Sequence, residues 1–385
     1  MSFIESDERR ALRAAVADLG KRYGYAYFIE RARSGGHLTE LWRDAGKLGF
    51  LGVNLPEQYG GGGAGLYELA IVLEELSAAG AGLLMMVVSP AICGTIIARF
   101  GTTEQKERWL PGLASGALIM AFGITEPDAG SNSHRLATVA RRDGDGWALS
   151  GRKIYISGVD EADYVLIVGR TADARTGKLK PALFAVPTDA PGFSYQRIEM
   201  DLISPDSQFL LFIDDVRLPA DALVGEQDAA LMQLFAGLNP ERIMAAALSV
   251  GTGRYALGRA VSYARERIVW DVPIGAHQGI AHPLAQVKIE LELARLMMQK
   301  AATLYDEGDD AGAGEAANMA KYAAAEASVR SVDQAVQTLG GSGLTREYGV
   351  ASLLAVARTS RIAPVSREMV LNFVAQNSLG LQKSY

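Results

Sequence analysis

The sequence contains very little cysteine and histidine. Cys93 is the only cysteine among 385 residues, so the chain cannot form an internal disulfide or a cysteine-rich metal site. The four histidines are scattered, and no two of them have the spacing of metal ligands on one helix. They are His37, His134, His277 and His282. We therefore expect no bound metal.

The chain also lacks a strong positive charge and the composition of a disordered protein. Its formal net charge is −6, 21% of its residues are charged and 49% are hydrophobic. An acidic balance argues against a surface that binds nucleic acid. The apolar content is ordinary for a folded enzyme, and the length is sufficient for two or three packed units.

A long, uninterrupted apolar run is missing as well. Residues 77–98 carry no charge and are long enough to span a bilayer. Several glycines interrupt them, and the Ser89–Pro90 pair favours a break between two elements. We interpret this stretch as a buried loop and helix. The N-terminal residues 1–8 are acidic and lack the apolar core of a secretory signal, so we expect a cytoplasmic protein without a membrane span.

The hydrophobic periodicity divides the chain into three blocks. Leu12, Val16 and Leu19 have helical spacing, whereas later segments alternate with period two and are separated by turn residues. Alanine-rich helical patterns then return. The sequence predicts an α+β protein with α-helical residues 1–116, β residues 117–228 and α-helical residues 229–385. This order is not an alternating βαβ pattern, and no GxGxxG follows a strand, which excludes a Rossmann fold.

The most informative local feature is an apolar run followed by a polar loop. Residues 118–124 read as a buried strand, and residues 125–132 follow them with the sequence TEPDAGSN. Such a loop presents backbone N–H groups and hydroxyls at one rim, which suits a flat ligand with many acceptors, such as a flavin or its phosphates. The same residues are ordinary turn formers. Alone, the loop leaves both interpretations open.

A second motif follows shortly afterwards. Residues 138–141 and 147–150 flank the sequence DGDG, which is typical of a β-hairpin. Residues 151–158 then read GRKIYISG, a run rich in β-branched and aromatic residues that ends in Ser-Gly.

The two motifs together resemble the flavin-binding motifs of the acyl-CoA dehydrogenase family, TEPxAGSD and GxKxWITN, and their separation also fits. The resemblance extends over essentially the whole chain, through residues 55–63, 101–111 and 337–343. It implies an FAD cofactor. It also implies a fold with an N-terminal α-helical domain, a middle β-barrel domain and a C-terminal four-helix bundle.

The resemblance assigns flavin contacts to residues of both motifs. Thr125 matches the residue near the pyrimidine side of the ring, and Ser157 replaces a threonine near N5. Tyr155 replaces the tryptophan that packs against the ring. Ser131 matches a contact to the flavin phosphate or the pantetheine of the substrate. Without the resemblance, Tyr155 and Ser157 would be an ordinary pair in a strand.

Further implied flavin contacts come from a neighbouring subunit, so the resemblance implies a homo-oligomer, a tetramer built as a dimer of dimers. Arg267 matches an arginine that pairs with the pyrophosphate of the neighbouring flavin. Asp271 departs from the pattern by replacing a glycine, and Ala355 and Val356 replace an Arg-Asp pair. The other matched positions are Trp270, Gln278, Gln337, Gly340, Gly341 and Ser366, which replaces a threonine.

Glu241 is the candidate catalytic base. Asn239 and Pro240 suit the N-cap and first position of a helix, which would place Glu241 in the first turn, near the positive end of the helix dipole. On this pattern alone, Glu241 is a favourable first-turn acid. The resemblance indicates instead that Glu241 is the catalytic base, because the base of the isovaleryl and long-chain subgroups occupies this position. It also implies that the next residue, Arg242, contacts the substrate. Burial would raise its pKa, whereas Arg242 and the dipole would lower it.

Other subgroups carry the base in a late YEGT motif. Residues 361–368 of this chain read RIAPVSRE, so Ala363 and Pro364 stand where the family has tyrosine and glutamate. In the family, the backbone N–H of that glutamate helps to bind the thioester carbonyl, and proline has none. Losing such a donor costs about 3 kcal/mol. Either another N–H serves, or the chemistry is slower or different. Ala363 also leaves room for a branched or bulky acyl group.

The resemblance implies an oxidoreductase of fatty acid metabolism that converts an acyl-CoA to a trans-2-enoyl-CoA and passes electrons to an electron-transfer flavoprotein. Alternatives on the same fold are a dehydrogenase of acyl-carrier-protein thioesters, a flavin monooxygenase and a non-catalytic flavoprotein that binds DNA. Glu241 argues against the monooxygenases, which lack it, and the acidic composition argues against DNA binding. The sequence leaves the acyl chain length open.

Overall fold

A computed structural model describes residues 5–173, 176–226 and 230–383. Within these ranges the chain forms helices, then strands, then helices again, which confirms the predicted three-part order and the α+β class. The predicted boundary at 228/229 and residues 1–4 of the predicted first domain lie outside the described residues.

The first part is a layer of helices around a buried central helix. Ser6 caps the first helix by accepting a hydrogen bond from the Arg9 N–H at 3.3 Å. Thr102 and Gln105 form a reciprocal capping box at the start of the fifth helix. Nearly all of α3 is buried, including Glu74 and Glu75, whose carboxylates pair with Arg13. The helices are α1 (Asp7–Ser34), α2 (Thr39–Lys47), α3 (Leu66–Ala78), α4 (Thr95–Phe100) and α5 (Thr103–Ser115).

The uncharged stretch 77–98 is buried, but its break lies earlier than predicted. The chain turns at residues 79–83, and Pro90 lies inside a π-helix, Val87–Gly94, that continues directly into α4. A π-helical turn rearranges the backbone hydrogen bonds and so tolerates a residue without an N–H. The prediction of a break at Ser89–Pro90 was therefore wrong. None of the helices in the described ranges has the length and apolarity needed to cross a bilayer.

The middle part is one eight-stranded sheet. Its strands follow the order β6-β7-β3-β2-β4-β5-β8, and β1 pairs in parallel with β4. In the described residues, the edge strands β6 and β8 do not pair with each other. The strands are β1 (Met120–Gly123), β2 (Val139–Asp143), β3 (Gly146–Ser157), β4 (Tyr164–Ala172), β5 (Leu179–Pro187), β6 (Phe193–Ile198), β7 (Gln208–Leu218) and β8 (Leu223–Val224).

The predicted hairpin is present as β2 and β3, joined at Gly144 and Asp145. The second motif continues β3 without a turn. Its register against β7 is interrupted twice, between Leu149 and Gly151 and between Lys153 and Ile156. Such bulges redirect side chains, and the second one contains Tyr155 and lies just before Ser157, the two predicted ring contacts.

The third part is helical, as predicted; its described residues form three long helices and two short ones, and the last short helix continues directly into a π-helical turn, Val374–Ser378. The tightest packing is between α6 and α8, whose buried faces are rich in alanine, and the Ser331 hydroxyl of α8 donates to the Gly253 carbonyl of α6 at 2.7 Å. A short hairpin, β9 (Ile268–Val269) with β10 (Val272–Pro273), joins the first two helices. The helices are α6 (Ala230–Glu266), α7 (Gln278–Asp306), α8 (Asp310–Leu339), α9 (Leu353–Thr359) and α10 (Arg367–Phe373).

The helix that carries Glu241 does not begin where the sequence predicted. It runs from Ala230 through Pro240, so Glu241 lies inside α6 and not in its first turn. Pro240 cannot donate to the Ala236 carbonyl one turn earlier, and the Tyr305 hydroxyl of α7 donates to that carbonyl instead, at 3.0 Å. The Asn239 side chain, predicted to cap the helix, donates to the Asp310 carbonyl at 3.4 Å.

Candidate active site

The two predicted flavin motifs lie next to each other. β1 ends at Gly123 and leads into the first loop, whose Thr125 carbonyl accepts a hydrogen bond from the Ile154 N–H of β3 at 2.9 Å. Thr125 is half-buried, and Ser131 is exposed at the far end of the loop. The strand-then-loop interpretation of residues 118–132 is therefore correct, and the loop and β3 form one rim.

A buried ion pair inside the rim was not predicted. The Lys153 side chain is 0% exposed, and its ammonium donates to the Glu126 carboxylate at 2.8 Å. It also donates to the carbonyls of Val168 at 2.6 Å and Ile124 at 3.1 Å. Burial lowers the pKa of Lys153 to about 8, against the effect of Glu126. The ammonium thus joins the first loop to β3 and β4.

Glu126 is held from the other side as well. It accepts hydrogen bonds from the Ala137 N–H at 2.5 Å and from the Thr138 N–H and hydroxyl at 3.0 and 2.6 Å. Although burial opposes this, these bonds and Lys153 hold the pKa of Glu126 below its usual value. The glutamate and the lysine of the two motifs are therefore anchors of the rim. The sequence did contain a signal for the burial of Lys153: the alternation of side chains along β3 places Lys153 on the same inward face as Leu149.

The predicted ring contacts lie in and just after the second bulge of β3. Tyr155 has a φ of 58°, rare for a residue with a side chain, and is 57% exposed. Ser157 is half-buried, and the Gln208 amide of β7 donates to its hydroxyl at 2.9 Å. Gln208 was not predicted. The backbone thus presents an aromatic side chain and an oriented hydroxyl at the rim.

The π-helix 87–94 connects this rim with α6. The Ser89 hydroxyl accepts a hydrogen bond from the Met120 N–H at 3.1 Å, and the Cys93 thiol donates to the Ala121 carbonyl at 3.5 Å. Burial, together with the negative charge of Glu241, raises the pKa of Cys93. Cys93 therefore lies between β1 and the candidate base.

Glu241 has the electrostatics of a base that works near neutral pH. Burial raises its pKa to about 7, although Arg242 and Lys321 act in the opposite direction. The residue remains partly accessible to solvent. Because it lies inside α6, the predicted contribution of the helix dipole is absent.

Arg242 lies beside Glu241 and has an unused donor. Its Nη1 donates to the Leu238 carbonyl at 2.9 Å, but its buried Nε has no hydrogen-bond partner within the part of the chain that the structure describes. Burial lowers the pKa of Arg242, against the effect of Glu241. A buried guanidinium with a free N–H suits an acceptor on a ligand.

The late segment lies between α9 and α10 and is joined to α8. Ala363 and Pro364 are exposed, and the Ser366 hydroxyl caps α10 by accepting from the Met369 N–H at 3.3 Å. The ammonium of Lys321, on α8, donates to the Val365 carbonyl. Lys321 was not predicted, although its helical spacing with buried alanines placed it on the inner face of α8.

The remaining predicted contacts lie at the other end of the helices. Trp270 is 82% exposed and meets the His277 ring edge-on, with 5.8 Å between the ring centres. Trp270 and Asp271 have φ angles of 50° and 64°, a conformation for which glycine is best suited. This conformation accounts for the family's glycine at the position of Asp271. The exposed members of this group are Arg267, Trp270, Gln278, Gln337, Gly340 and Gly341.

The length of α6 separates this second group from the candidate base. Glu241 and Glu266 are 25 residues apart on one helix, which corresponds to about 38 Å. The structure thus brings Glu241, Arg242 and the late segment together, and it places Arg267 far from them on the same chain.

Comparison with known proteins identifies the family. The acyl-CoA dehydrogenase N-terminal domain matches residues 6–117, the middle domain matches 121–209 and the C-terminal domain matches 232–379. The chain belongs to the acyl-CoA dehydrogenase family. It is 70% identical to acyl-CoA dehydrogenase FadE12 of Mycobacterium tuberculosis over 384 residues, which cover 100% of this chain and 99% of that protein.

Solved structures of this family have the same fold. A glutaryl-coenzyme A dehydrogenase in complex with glutaryl-CoA is 31% identical, with a TM-score of 0.94 over 100% of this chain and 98% of its own. A glutaryl-CoA dehydrogenase from Mycobacterium smegmatis in complex with FADH2 is 28% identical, with a TM-score of 0.90 over 99% of this chain and 96% of its own.

The residues at the rim fit a flavin. Tyr155 offers exposed apolar area that a planar ring would cover, and Ser157 offers a hydroxyl already fixed by Gln208. The loop between β1 and β2 is held by Glu126 and Lys153, so it would need no ordering when the cofactor binds.

Proposed function

We propose that this protein is an FAD-dependent dehydrogenase that removes hydrogen from the α and β carbons of an acyl-CoA thioester, giving a trans-2-enoyl-CoA. Bound FAD would supply the hydride acceptor for the β-hydrogen, held by Thr125, Tyr155, Ser157 and Ser131. Glu241 removes the α-proton. An electron-transfer flavoprotein then takes up the electrons.

The state of Glu241 carries this proposal. Acyl-CoA α-protons are weakly acidic, and a carboxylate whose pKa lies near the working pH is a better acceptor for them than an ordinary glutamate. Burial raises the pKa of Glu241 to about 7 while leaving the residue partly accessible. Its neighbours Arg242 and Lys321 are cations, which favour the ionised form at the start of the reaction.

Arg242 gives the site a group for the substrate. Its unpaired Nε–H is buried next to Glu241 and would serve an oxygen acceptor of the thioester or of the pantetheine. Pro364 offers no N–H for this purpose. Ala363 is small and exposed, which leaves space for a branched or bulky acyl group.

Anaerobic reduction of the flavin tests the proposal. The purified protein, loaded with FAD, is mixed with acyl-CoA thioesters of increasing length and branching, and with an acyl-carrier-protein thioester. We expect bleaching of the flavin absorbance by at least one acyl-CoA, with the enoyl-CoA as product. No bleaching by any acyl-CoA, or bleaching by the carrier-protein thioester alone, would contradict acyl-CoA as the substrate class.

The substitution Glu241→Gln distinguishes loss of the catalytic base from loss of cofactor binding. The variant keeps the size of the side chain and removes the proton acceptor, so we expect normal FAD content and a loss of at least about 10³-fold in the rate of bleaching. Glu307→Gln, an exposed glutamate at the end of α7, is the matched control and should bleach as the wild type does. Normal bleaching by Glu241→Gln would overturn the assignment of the base.

We further propose that the protein works as a homotetramer. An apolar stripe on α7, formed by Ile289, Leu293 and Leu296, is exposed on the single chain. Arg267, directly after the end of α6, lies about 38 Å of helix away from Glu241. A cofactor bound at the rim of one subunit would reach this second group only on a neighbouring subunit.

A further inference from the structure

Lys321 is a buried cation whose position is unusual for a lysine. It lies on α8 in a stripe of buried alanines and is 2% exposed. Burying an ammonium is unfavourable unless it is paired. Its ammonium donates a hydrogen bond to the Val365 carbonyl, in the segment that contains Pro364.

The segment 361–367 has another anchor on the same helix. Glu326 of α8 pairs with Arg361 at 2.6 Å and lies 3.7 Å from the Nε of Arg367. The Arg367 N–H also donates to the Arg361 carbonyl at 2.9 Å. Glu326 already holds the segment 361–367 on α8. Holding the segment in place therefore does not by itself require the more deeply buried charge of Lys321.

The charge of Lys321 acts on the candidate base. Burial and the nearby Arg242 lower the pKa of Lys321 to about 8, whereas Glu241 of α6, Glu326 of α8 and Glu368 of α10 favour its charged form. The ammonium therefore remains protonated at pH 7. Together with Arg242, the ammonium opposes the effect of burial on the pKa of Glu241.

We propose that Lys321 is a positioning residue for the reaction: its ammonium fixes the Pro364–Ser366 segment through the Val365 carbonyl and brings a buried positive charge to the face of α8 that packs against α6, the helix of Glu241. This inference rests on the proposed function, since it assumes that Glu241 is the base. It gives α8, which lies outside both flavin motifs, a part in catalysis.

Three substitutions separate the charge from the hydrogen bond. Lys321→Met removes both, Lys321→Gln removes the charge but keeps an amide donor for the Val365 carbonyl, and Lys321→Arg keeps the charge. Glu326→Gln is the control, since it weakens the other anchor of the segment and leaves Lys321 in place. Anaerobic flavin reduction is followed from pH 6 to pH 9 in each FAD-loaded protein.

The rising limb of the pH profile is the diagnostic quantity. Loss of a nearby cation raises the pKa of a carboxyl by about one unit or more. In Lys321→Met and Lys321→Gln, the rising limb should therefore move to a pH about one unit higher. At pH values below that limb, the rate of flavin reduction should fall about tenfold. Lys321→Arg should keep the limb in place. Glu326→Gln should change the rate without moving the limb. A limb unchanged in both Lys321→Met and Lys321→Gln would overturn the proposal.

An infrared titration gives a readout that does not depend on turnover. The carboxyl band of protonated Glu241 is identified by subtracting the spectrum of Glu241→Gln, and its intensity is followed against pH. We expect the midpoint to rise in Lys321→Gln relative to the wild type, and an unchanged midpoint would contradict the proposal. If the wild type bleaches with no acyl-CoA but its midpoint still depends on Lys321, the proposed function fails while the coupling stands.

Hydrogen exchange tests the role in positioning. The amides of residues 365–370 should exchange faster in Lys321→Met than in the wild type, and Lys321→Gln should retain most of the protection. Equal protection in the wild type and Lys321→Met would show that the Val365 contact does not hold the segment, which would overturn that half of the proposal.

Discussion

The ammonium of Lys153 and the carboxylate of Glu126 form a fully enclosed ion pair, 2.8 Å apart, between the two motifs that form the rim. The pair has no access to solvent on the lysine side. The Ala137 N–H donates to Oε2 of the glutamate, and the Thr138 N–H donates to Oε1, which also accepts from Lys153. A pair of this kind stabilises the fold only while both partners are present.

Removing the lysine should therefore be costly. In Lys153→Met, the Glu126 carboxylate remains buried without its cation, and we expect a loss of about 3–5 kcal/mol in the free energy of unfolding. Guanidinium denaturation measures this loss. Lys178→Met, at an exposed turn of the same sheet, is the control and should change little.

The double variant tests the cause. Adding Glu126→Gln to Lys153→Met removes the uncompensated charge and should recover a large part of the lost stability. If the double variant is less stable than the sum of the two single variants predicts, the pair does not act as a charge pair.

Tyr155→Gly should affect stability and cofactor binding in opposite directions. Tyr155 has a φ of 58°, so glycine should relieve about 1 kcal/mol of backbone strain in the protein without FAD. Loss of the aromatic contact should weaken FAD binding about tenfold. Thermal denaturation of the apoprotein and fluorescence titration with FAD measure the two effects.

Asp215→Gly provides a matched comparison for this variant. Asp215 also has a positive φ, 52°, and lies on β7 away from the predicted ring contacts. Its replacement should give a similar gain in stability with no change in FAD binding. Weaker binding in both variants would mean that the effect of Tyr155→Gly does not come from contact with the flavin.

Glu241 should make stability depend on pH. Because its pKa rises from 4.5 to about 7 on folding, the folded state binds this proton more tightly than the unfolded chain. The contribution of Glu241 to stability is then largest below pH 4.5 and decreases as the pH rises to 7. The loss between pH 4.5 and pH 8 should be on the order of 3 kcal/mol.

The glutamine variant should not show this loss. We expect the free energy of unfolding of Glu241→Gln to exceed that of the wild type by more at pH 8 than at pH 5, in chemical denaturation at both values. The exposed Glu307→Gln should show no such difference from the wild type. A constant difference between Glu241→Gln and the wild type at both pH values would argue against a raised pKa.

A charge on the α7 stripe should break the oligomer. Leu293 is 61% exposed on the single chain, and a lysine there would place an ammonium inside the proposed interface. We expect Leu293→Lys to shift the mass measured by light scattering from a tetramer toward smaller species. Leu48→Lys, at an exposed leucine after α2, should leave the mass unchanged. Unchanged mass in Leu293→Lys would remove α7 from the interface.

The sequence predicted most of the sheet because local patterns determine it. The hairpin of β2 and β3 follows from its Asp-Gly turn and alternating strands, and β1, β4, β5 and β7 were found by their apolar runs. β6 was missed because most of its side chains are exposed, so it has little apolar signal. It is part of the sheet through its pairing with β7.

The helix boundaries were less predictable where distant contacts replace local ones. Asn239 and Pro240 have the local pattern of a helix start, yet α6 passes through them because Tyr305 satisfies the carbonyl that Pro240 leaves unpaired. At Pro240 the local preference was overridden by this tertiary contact. Pro90 is accommodated differently, by a π-helix that rearranges the backbone hydrogen bonds.

The sequence by itself determined the family, the three-part order and the pair of motifs at the rim, because turn residues, periodicity and motif spacing are properties of neighbouring residues. The FAD prediction agrees with flavin-bound relatives, whereas the roles assigned to individual residues stay predictions. Only the tertiary structure decided that Glu126 and Lys153 form one buried pair. It also decided that Lys321 lies between Glu241 and Val365, and that burial, not a helix end, sets the pKa of Glu241. These relationships join residues 27 to 80 positions apart, and they depend on the low polarity of the packed interior, which no local pattern encodes.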